Sequence, residues 1–177
     1  MLRLNHMAMS LPRGTLTEQW ITDVKALYGA VFGWDVAAVR LGTGTRAPIH
    51  HVYMQLDPHG YQYLVLAESD VPMTVDGSEH LGVSCDSADE VRGRYEQCER
   101  FREEDDRLTI APPGLVVVDP AESGFTMTFD NGWSPPYVTT GFNFGYLMPV
   151  RWDVQYDEYT SSPDRRWTYG PPLTQPR

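Results

Sequence analysis

The sequence contains few of the features that mark several large classes of protein. Only two of its 177 residues are cysteines, Cys85 and Cys98, which is too few for the disulfide framework of a small secreted domain, and neither belongs to a metal-binding cysteine pair. No run of about 18 apolar residues is present, and the N-terminus lacks the apolar segment of a signal peptide. We therefore expect a cytoplasmic protein that does not enter a membrane.

Basic residues are also scarce. The chain has 14 Lys and Arg against 24 Asp and Glu, so its net charge is −10. A nucleic-acid partner is excluded on this ground, because binding to phosphates needs a basic surface. Apolar residues make up 41% of the chain, and at this length they suffice for one domain with one core. The aromatic content of 12% suits either a ligand cleft or that core.

The pattern of apolar residues predicts one unit used twice. In the first unit, residues 4–10 alternate as a half-buried strand with His6, Ala8 and Ser10 on one face. Thr17 is positioned to cap a helix from Glu18 to about Phe32. Three strands follow, predicted at 34–39, 51–56 and 61–67. This unit, residues 1–68, is a strand, a helix and three strands.

The second unit repeats that order after a polar linker at 69–78. Residues 79–85 alternate with His80 on one face, and Asp86 or Ser87 is positioned to cap a helix that ends near Phe101. Four later segments have strand character, one more than the repeat needs, at 115–118, 125–129, 139–147 and 150–156. The unit therefore spans 79–158 and contains an insertion. A Pro-rich tail occupies 159–177.

Short motifs in both units resemble the vicinal oxygen chelate superfamily, which includes glyoxalases, bleomycin-resistance proteins and extradiol dioxygenases. The motifs are residues 5–9, 23–28 and 32–36 in the first unit, and residues 80–84 with Asp86, Asp89 and Glu90 in the second. The resemblance implies an α+β fold in which two βαβββ modules form a pair of half-barrels around a cleft. That cleft holds a divalent metal or a bound drug.

The resemblance also implies a set of metal ligands. His6 and His80 match the first-strand positions, and Asp153 falls where the family's closing strand carries a glutamate. In the first module the nearest candidate is Glu68, which lies past the expected position, and the strand register decides whether it faces the cleft. Without Glu68, two histidines and one carboxylate remain, the set that non-haem Fe(II) oxygenases use.

Two further residues are candidates for catalysis. Neighbours on a strand point to opposite faces, so one of His50 and His51 faces the cleft; we predict that His51 is an acid or base. Phe142, Phe144 and Tyr146 share a face and therefore line the cleft or the core together. Tyr146 is predicted as the second catalytic residue, and core packing is the alternative for all three.

These residues favour a divalent-metal-dependent enzyme that acts on a small oxygenated organic substrate in the manner of an extradiol dioxygenase. Fe(II) is the favoured metal, with Mn, Ni or Zn as alternatives. A glyoxalase- or epimerase-type lyase or isomerase is the second enzymatic class. The competing hypothesis is a metal-free protein that sequesters a drug or another small molecule. The resemblance further implies a homodimer.

Overall fold

The computed structural model describes residues 5–42, 48–56, 62–77, 79–117 and 138–158. The predicted strand at 125–129 and the Pro-rich tail lie outside these ranges. The described elements are β1 (His6–Pro12), α1 (Glu18–Val24), a π-helical segment (Lys25–Gly29), α2 (Ala30–Phe32), β2 (Asp35–Arg40), β3 (Ile49–Gln55), β4 (Tyr63–Ser69), β5 (His80–Ser84), α3 (Ala88–Glu104), β6 (Thr109–Ile110), β7 (Gly114–Val117), β8 (Val138–Gly145) and β9 (Arg151–Glu158). No described helix is both long and apolar enough to span a membrane.

The first sheet has the strand order β1-β4-β3-β2. Its first and last strands, β1 and β4, run parallel, with His6 opposite Tyr63, while the pairs β3–β4 and β2–β3 are antiparallel. Because side chains alternate along each strand, the register divides the sheet into two faces. One face carries the apolar side chains Met9, Leu11, Val36, Val52, Met54, Leu64 and Leu66, all of them buried.

The helix between β1 and β2 begins and ends where the sequence predicts. The side chain of Thr17 accepts a hydrogen bond from the Trp20 amide, and Gly33 ends the helix with a φ of 70°, a left-handed conformation that glycine adopts without steric cost. The π-helical turn at Lys25–Gly29 is not evident from the sequence pattern. Tyr28, within this turn, is completely buried.

The second sheet repeats the topology of the first, with the order β5-β9-β8-β6 and β7 also paired to β8. β5 and β9 run parallel, with His80 opposite Arg151. β6 and β7 lie one after the other along β8 with a shift of one residue between them. Pro112 and Pro113 stand in the gap, and because proline has no amide hydrogen the ladder is interrupted there. β6, which was not predicted, and β7, predicted at 115–118, thus occupy one strand position of the sheet, while the predicted segment at 125–129 lies outside the described residues.

The helices of both modules and the two sheets share one hydrophobic core. The first module's helix contacts the second sheet through rings: Phe32 stacks on Phe144 with centroids 5.0 Å apart, and the Tyr28 hydroxyl donates to the Tyr146 carbonyl at 2.8 Å. From α3, Arg94 donates to the Val31 carbonyl at 2.5 Å. The prediction of an α+β fold built from two βαβββ modules is confirmed, and neither sheet closes on itself.

Candidate functional site

Each sheet has an open face, which is the face turned away from the buried apolar side chains. In the second sheet, alternation and register place His80, Ser84, Arg151, Asp153 and Asn143 on this face, together with Gly82, Gly141 and Gln155. In the first sheet the corresponding positions are His6, Ser10, Tyr63, Val65 and Tyr53, together with Ala8, His51 and Ala67. The open faces are where the predicted ligands must meet.

His80 and Asp153 form a pair on the second open face. His80 Nε2 lies 3.8 Å from Asp153 Oδ2, and the imidazole is about half exposed whereas the carboxylate is mostly covered. Asp153 is opposite Gly82 on one side and Asn143 on the other. Two donors that bind one Zn²⁺-like ion at about 2.0–2.2 Å each stand somewhat closer than this, so a small side-chain adjustment would bring both into one coordination sphere.

Glycines leave space around this pair. A Cβ at Gly82 would have no atom within 4 Å, so the position beside Asp153 is open. A Cβ at Gly141 would lie 3.4 Å from Asp153 Oδ1 and 2.8 Å from the Val154 carbonyl oxygen, which is too close for any side chain. The glycines therefore keep the approach to the carboxylate free for a ligand.

His6 occupies the same place in the first sheet as His80 does in the second, since each begins the strand that runs parallel to its sheet's closing strand. Its Nδ1 lies 2.8 Å from Asn5 Oδ1. An amide oxygen only accepts, so this contact puts the proton on Nδ1 and leaves Nε2 able to bind a metal. The imidazole also stacks on Tyr63, with centroids 5.2 Å apart.

β1, β3 and β4 supply no carboxylate to the open face of the first sheet, although Asp35 of the edge strand β2, opposite Gln55, lies on that face. The position equivalent to Asp153 is Val65, because each lies two residues beyond the partner of the module's first histidine. Glu68 lies on the other face, with Leu64 and Leu66, and its Oε1 accepts a hydrogen bond from the Leu16 amide at 2.6 Å. The structure therefore does not bring Glu68 to the histidines, and it fixes the end of β4 to the chain before α1.

His51 faces the open side of the first sheet, opposite Ala67. It ends a row of four rings, in which neighbouring centroids are 4.9–5.2 Å apart: His51, Tyr53, Tyr63 and His6. Burial, and secondarily the charge of His50, lowers the pKa of His51, which favours a neutral imidazole at pH 7. A neutral histidine on the open face of the sheet is suited to accept a proton.

Tyr146 lies on the core side, so the structure does not place it with His80 and Asp153. It is 2% exposed, and its hydroxyl donates to Asp105 Oδ2 at 2.6 Å. Arg107 bridges Asp105 and Asp23 of α1, at 2.6 Å and 2.9 Å. Phe142 and Phe144 are buried beside it, in agreement with the core-packing alternative. We call Asp23, Asp105, Arg107 and Tyr146 the clamp, because they join the two modules.

The donors fit a divalent metal in chemistry but are only partly assembled. His80 and Asp153 supply one nitrogen and one oxygen, and His6 presents a second nitrogen from the other module. Across the described residues, no three His, Cys, Asp or Glu side chains lie close enough together to form a metal site. A complete metal site would therefore need the two sheets to place His6 next to His80 and Asp153.

Arg151 and Asn143 are functional candidates that the sequence analysis did not select. Both lie on the open face of the second sheet, and both line a pocket of about 150 Å³ at the β6 edge. Arg151 lies two residues from Asp153, but within the described part of the chain no ion pair joins the two, and Asp153 pairs with His80 instead. Strand alternation places Arg151 and Asp153 on one face, which is the signal that could have identified it.

No family model and no curated protein matches the sequence. Solved structures do. The fosfomycin resistance protein FosX from Listeria monocytogenes, as a variant complexed with Mn(II) and 1S,2S-dihydroxypropylphosphonic acid, matches over 94% of this chain and 98% of its own, with 10% identity and a TM-score of 0.50. A possible glyoxalase from Bacillus cereus matches over 87% and 98%, with 14% identity and a TM-score of 0.49. A lactoylglutathione lyase from Agrobacterium tumefaciens matches over 87% and 92%, with 14% identity and a TM-score of 0.47.

Proposed function

We propose that this chain, which has the vicinal oxygen chelate fold, is a divalent-metal-dependent enzyme that acts on a small oxygenated substrate in the manner of an extradiol dioxygenase. The observation that carries the proposal is the pairing of His80 with Asp153 on the second open face, with His6 at the matching place of the first sheet. Val65 stands where a fourth ligand would be. The set is therefore two histidines and one carboxylate, which favours Fe(II) over a four-ligand lyase site.

The metal would be held by His6, His80 and Asp153. When bound, it would lower the hydroxyl pKa of a substrate with neighbouring oxygens and supply the site for O2. Asn5 holds the proton of His6 on Nδ1, which keeps Nε2 free. His51, on the open face of the first sheet, would accept the substrate proton. Tyr53 and Tyr63 would exclude water between His51 and His6.

Metal stoichiometry tests this proposal most directly. We expect protein purified without chelators, or reloaded anaerobically with Fe(II), to hold about one metal per chain by elemental analysis. The double variant His6→Ala, His80→Ala should hold none, while Ser84→Ala should behave as the unmutated protein because serine on the same face of β5 is not needed as a ligand. Loaded protein should cleave a catechol with consumption of O2.

Two outcomes would contradict the proposal at different levels. Absence of metal from the unmutated protein under all loading conditions would remove the enzyme hypothesis. Stable metal binding without O2 consumption would remove the dioxygenase chemistry and direct attention to lyase or isomerase reactions, in which the metal polarises a carbonyl. Asp153→Asn distinguishes a ligand from a structural carboxylate, because it preserves shape and removes charge.

A second candidate function is metal-free binding of a small planar molecule. The observation that favours it is the row of rings on the first open face, His51, Tyr53, Tyr63 and His6, which offers stacking surface without any metal. A thermal-shift comparison separates the two functions. Stabilisation by Fe(II), Mn(II), Ni(II) or Zn(II) supports the enzyme, whereas stabilisation by aromatic compounds alone supports sequestration.

A further inference from the structure

The pocket at the β6 edge of the second sheet adjoins the pair formed by His80 and Asp153, because Asn143 of its lining is opposite Asp153 and Arg151 is opposite His80. Its volume is about 150 Å³, and the residues that line it include one arginine, one asparagine and one threonine as well as three apolar residues: Thr109, Ile110, Ala111, Asn143, Phe144 and Arg151. We call it the Arg151 pocket. Its polar groups are those that recognise an anionic oxygen, and its apolar part suits a carbon skeleton.

Gly145 permits the Arg151 side chain to lie along this pocket. A Cβ at Gly145 would stand 3.7 Å from Arg151 Cγ and 3.0 Å from Thr109 Oγ1. The space between the arginine stem and the threonine therefore exists because position 145 has no side chain. Thr109 Oγ1 in turn is held by the Gly145 carbonyl at 3.2 Å, which fixes that wall of the pocket.

Arg151 differs from the arginines that stabilise the fold. Ion pairs within the described ranges involve Arg13, Arg40, Arg92, Arg94, Arg102 and Arg107. None involves Arg151, and no hydrogen bond of its guanidinium is found in the same ranges. In a chain of net charge −10, acidic groups are abundant, so a guanidinium left for solvent beside a pocket is available to a ligand.

We propose that the Arg151 pocket binds a carboxylate substituent of the substrate, with Arg151 as the charged partner and Asn143 as an additional donor. This assignment rests on the proposed function for the reacting end of the substrate. Arg151 and Asp153 are two residues apart on one face of β9, which corresponds to about 7 Å. One small molecule can therefore reach both the metal ligands and the pocket. The substrate class is an oxygenated organic acid, such as a dihydroxylated aromatic acid.

Benzoate and its uncharged counterpart benzamide test the pocket without any metal. We expect benzoate to bind metal-free protein about tenfold more tightly than benzamide, measured by NMR titration of the Asn143 side-chain amide. Arg151→Gln should abolish that preference, and Arg151→Lys should restore part of it, because lysine keeps the charge but not the bidentate geometry. Arg100→Gln, an exposed charge loss on α3, should leave the preference intact.

A second pair of probes connects the pocket to the metal. With Zn(II)-loaded protein, which cannot turn over, 3,4-dihydroxybenzoate should bind about tenfold more tightly than catechol, and Arg151→Gln should remove the difference while leaving catechol affinity unchanged. Gly145→Ala, which narrows the pocket, should weaken 3,4-dihydroxybenzoate and not catechol.

The outcomes separate this inference from the proposed function. If benzamide binds as well as benzoate, or if Arg151→Gln retains the preference, the pocket assignment is overturned whatever the metal does. If no metal binds but the benzoate preference depends on Arg151, the pocket assignment stands and the metal enzyme fails. If metal and catechol bind and the carboxylate adds nothing, only the pocket assignment fails.

Discussion

The two open faces have the same topology and opposite chemistry. In the first sheet, the positions across β1, β4 and β3 carry rings and small apolar groups, including Tyr53, Tyr63 and Val65. In the second sheet, the equivalent positions carry Asn143, Arg151 and Asp153. The first-strand histidines, His6 and His80, are common to both, as are the serines four residues later, Ser10 and Ser84. The two modules thus share a backbone arrangement, but the first open face offers rings for stacking and the second offers polar and charged groups.

Under the proposed function, this asymmetry would let the two faces contribute differently to binding. A planar substrate would gain stacking area from the first open face and directed polar groups from the second. The glycines follow the same division: Gly82, Gly141 and Gly145 all lie on the second open face, where they leave room beside the polar groups. The helix-side faces, by contrast, are mostly apolar in both sheets, with Glu68 as a polar residue at the end of β4.

The largest expected effect concerns those helix-side faces. Leu64 and Trp152 are equivalent residues, 2% and 0% exposed. Trp152 also contacts Trp34 and Tyr28 of the first module, with centroids 4.7 Å and 6.2 Å apart. We expect Trp152→Ala to lower the free energy of unfolding by about 3–5 kcal/mol.

Leu64→Ala should lower the free energy of unfolding by less than Trp152→Ala, about 2–3 kcal/mol. Leucine is smaller, and it lacks the ring contacts that Trp152 makes with the other module. Urea denaturation followed by tryptophan-independent far-UV CD measures both. Equal costs would mean that the core treats the two modules alike and that the ring contacts between modules add nothing.

An exchange of residues at the equivalent positions of the open faces tests the asymmetry itself. Loss of a residue that only supports a metal ligand weakens metal binding by about 10–100-fold. Asp153→Val should weaken it more than this, because it removes a proposed ligand itself. Val65→Asp should tighten binding by about tenfold, because it adds a carboxylate at the matching place of the first sheet. Competition with a chelating dye measures both affinities. An unchanged affinity in Val65→Asp would show that the first face does not approach the metal.

The clamp provides the smallest effect, and it depends on pH. The hydrogen bond from Arg107 holds the pKa of Asp105 well below its usual range. The hydrogen bond from Tyr146 makes a smaller contribution in the same direction, and burial opposes both. A carboxyl with a lowered pKa stabilises the fold at pH above its unfolded value, about 3.9, and this stabilisation is lost as pH falls through the folded value. Thermal unfolding of the unmutated protein should therefore shift to lower temperature as pH falls from about 4 toward 2.

Asp105→Asn should lose about 1–2 kcal/mol at pH 7 and show a flatter dependence below pH 4, because the titrating group is gone. Asp76→Asn, in the exposed linker, serves as the control for loss of an acidic residue. A variant Asp105→Asn with the same acid slope as the unmutated protein would assign the slope to other carboxyls and would leave the clamp without a measurable share in joining the modules.

Much of the fold follows from local sequence. Thr17 and Ser87 cap the two long helical segments, and Gly33 ends the first, as their positions predict. Strand alternation correctly grouped His6 with Ser10 and Phe144 with Tyr146. The boundaries of most strands differ from the predicted ones by one or two residues, because propensity changes gradually at the end of a strand while pairing stops at a definite residue.

The predicted site was less complete, for one physical reason. Alternation along a strand shows which residues share a face. It does not show which of the two faces the helices cover. Glu68 shares its face with Leu64 and Leu66, which are buried, and therefore lies on the core side. Tyr146 lies on the core side for the same reason, with Phe142 and Phe144. Reading those neighbours as core would have located both residues.

The sequence by itself determined the repeated βαβββ order, the caps, the two first-strand histidines and the acidic surface, because these depend on composition and on contacts within a few residues. The tertiary structure decided that Asp153 meets His80 while Val65 takes the equivalent place, that β6 and β7 form one divided strand, and that Arg151 extends over Gly145 into a pocket. These outcomes depend on register between strands that are far apart in the chain, and only the packed sheets fix that register.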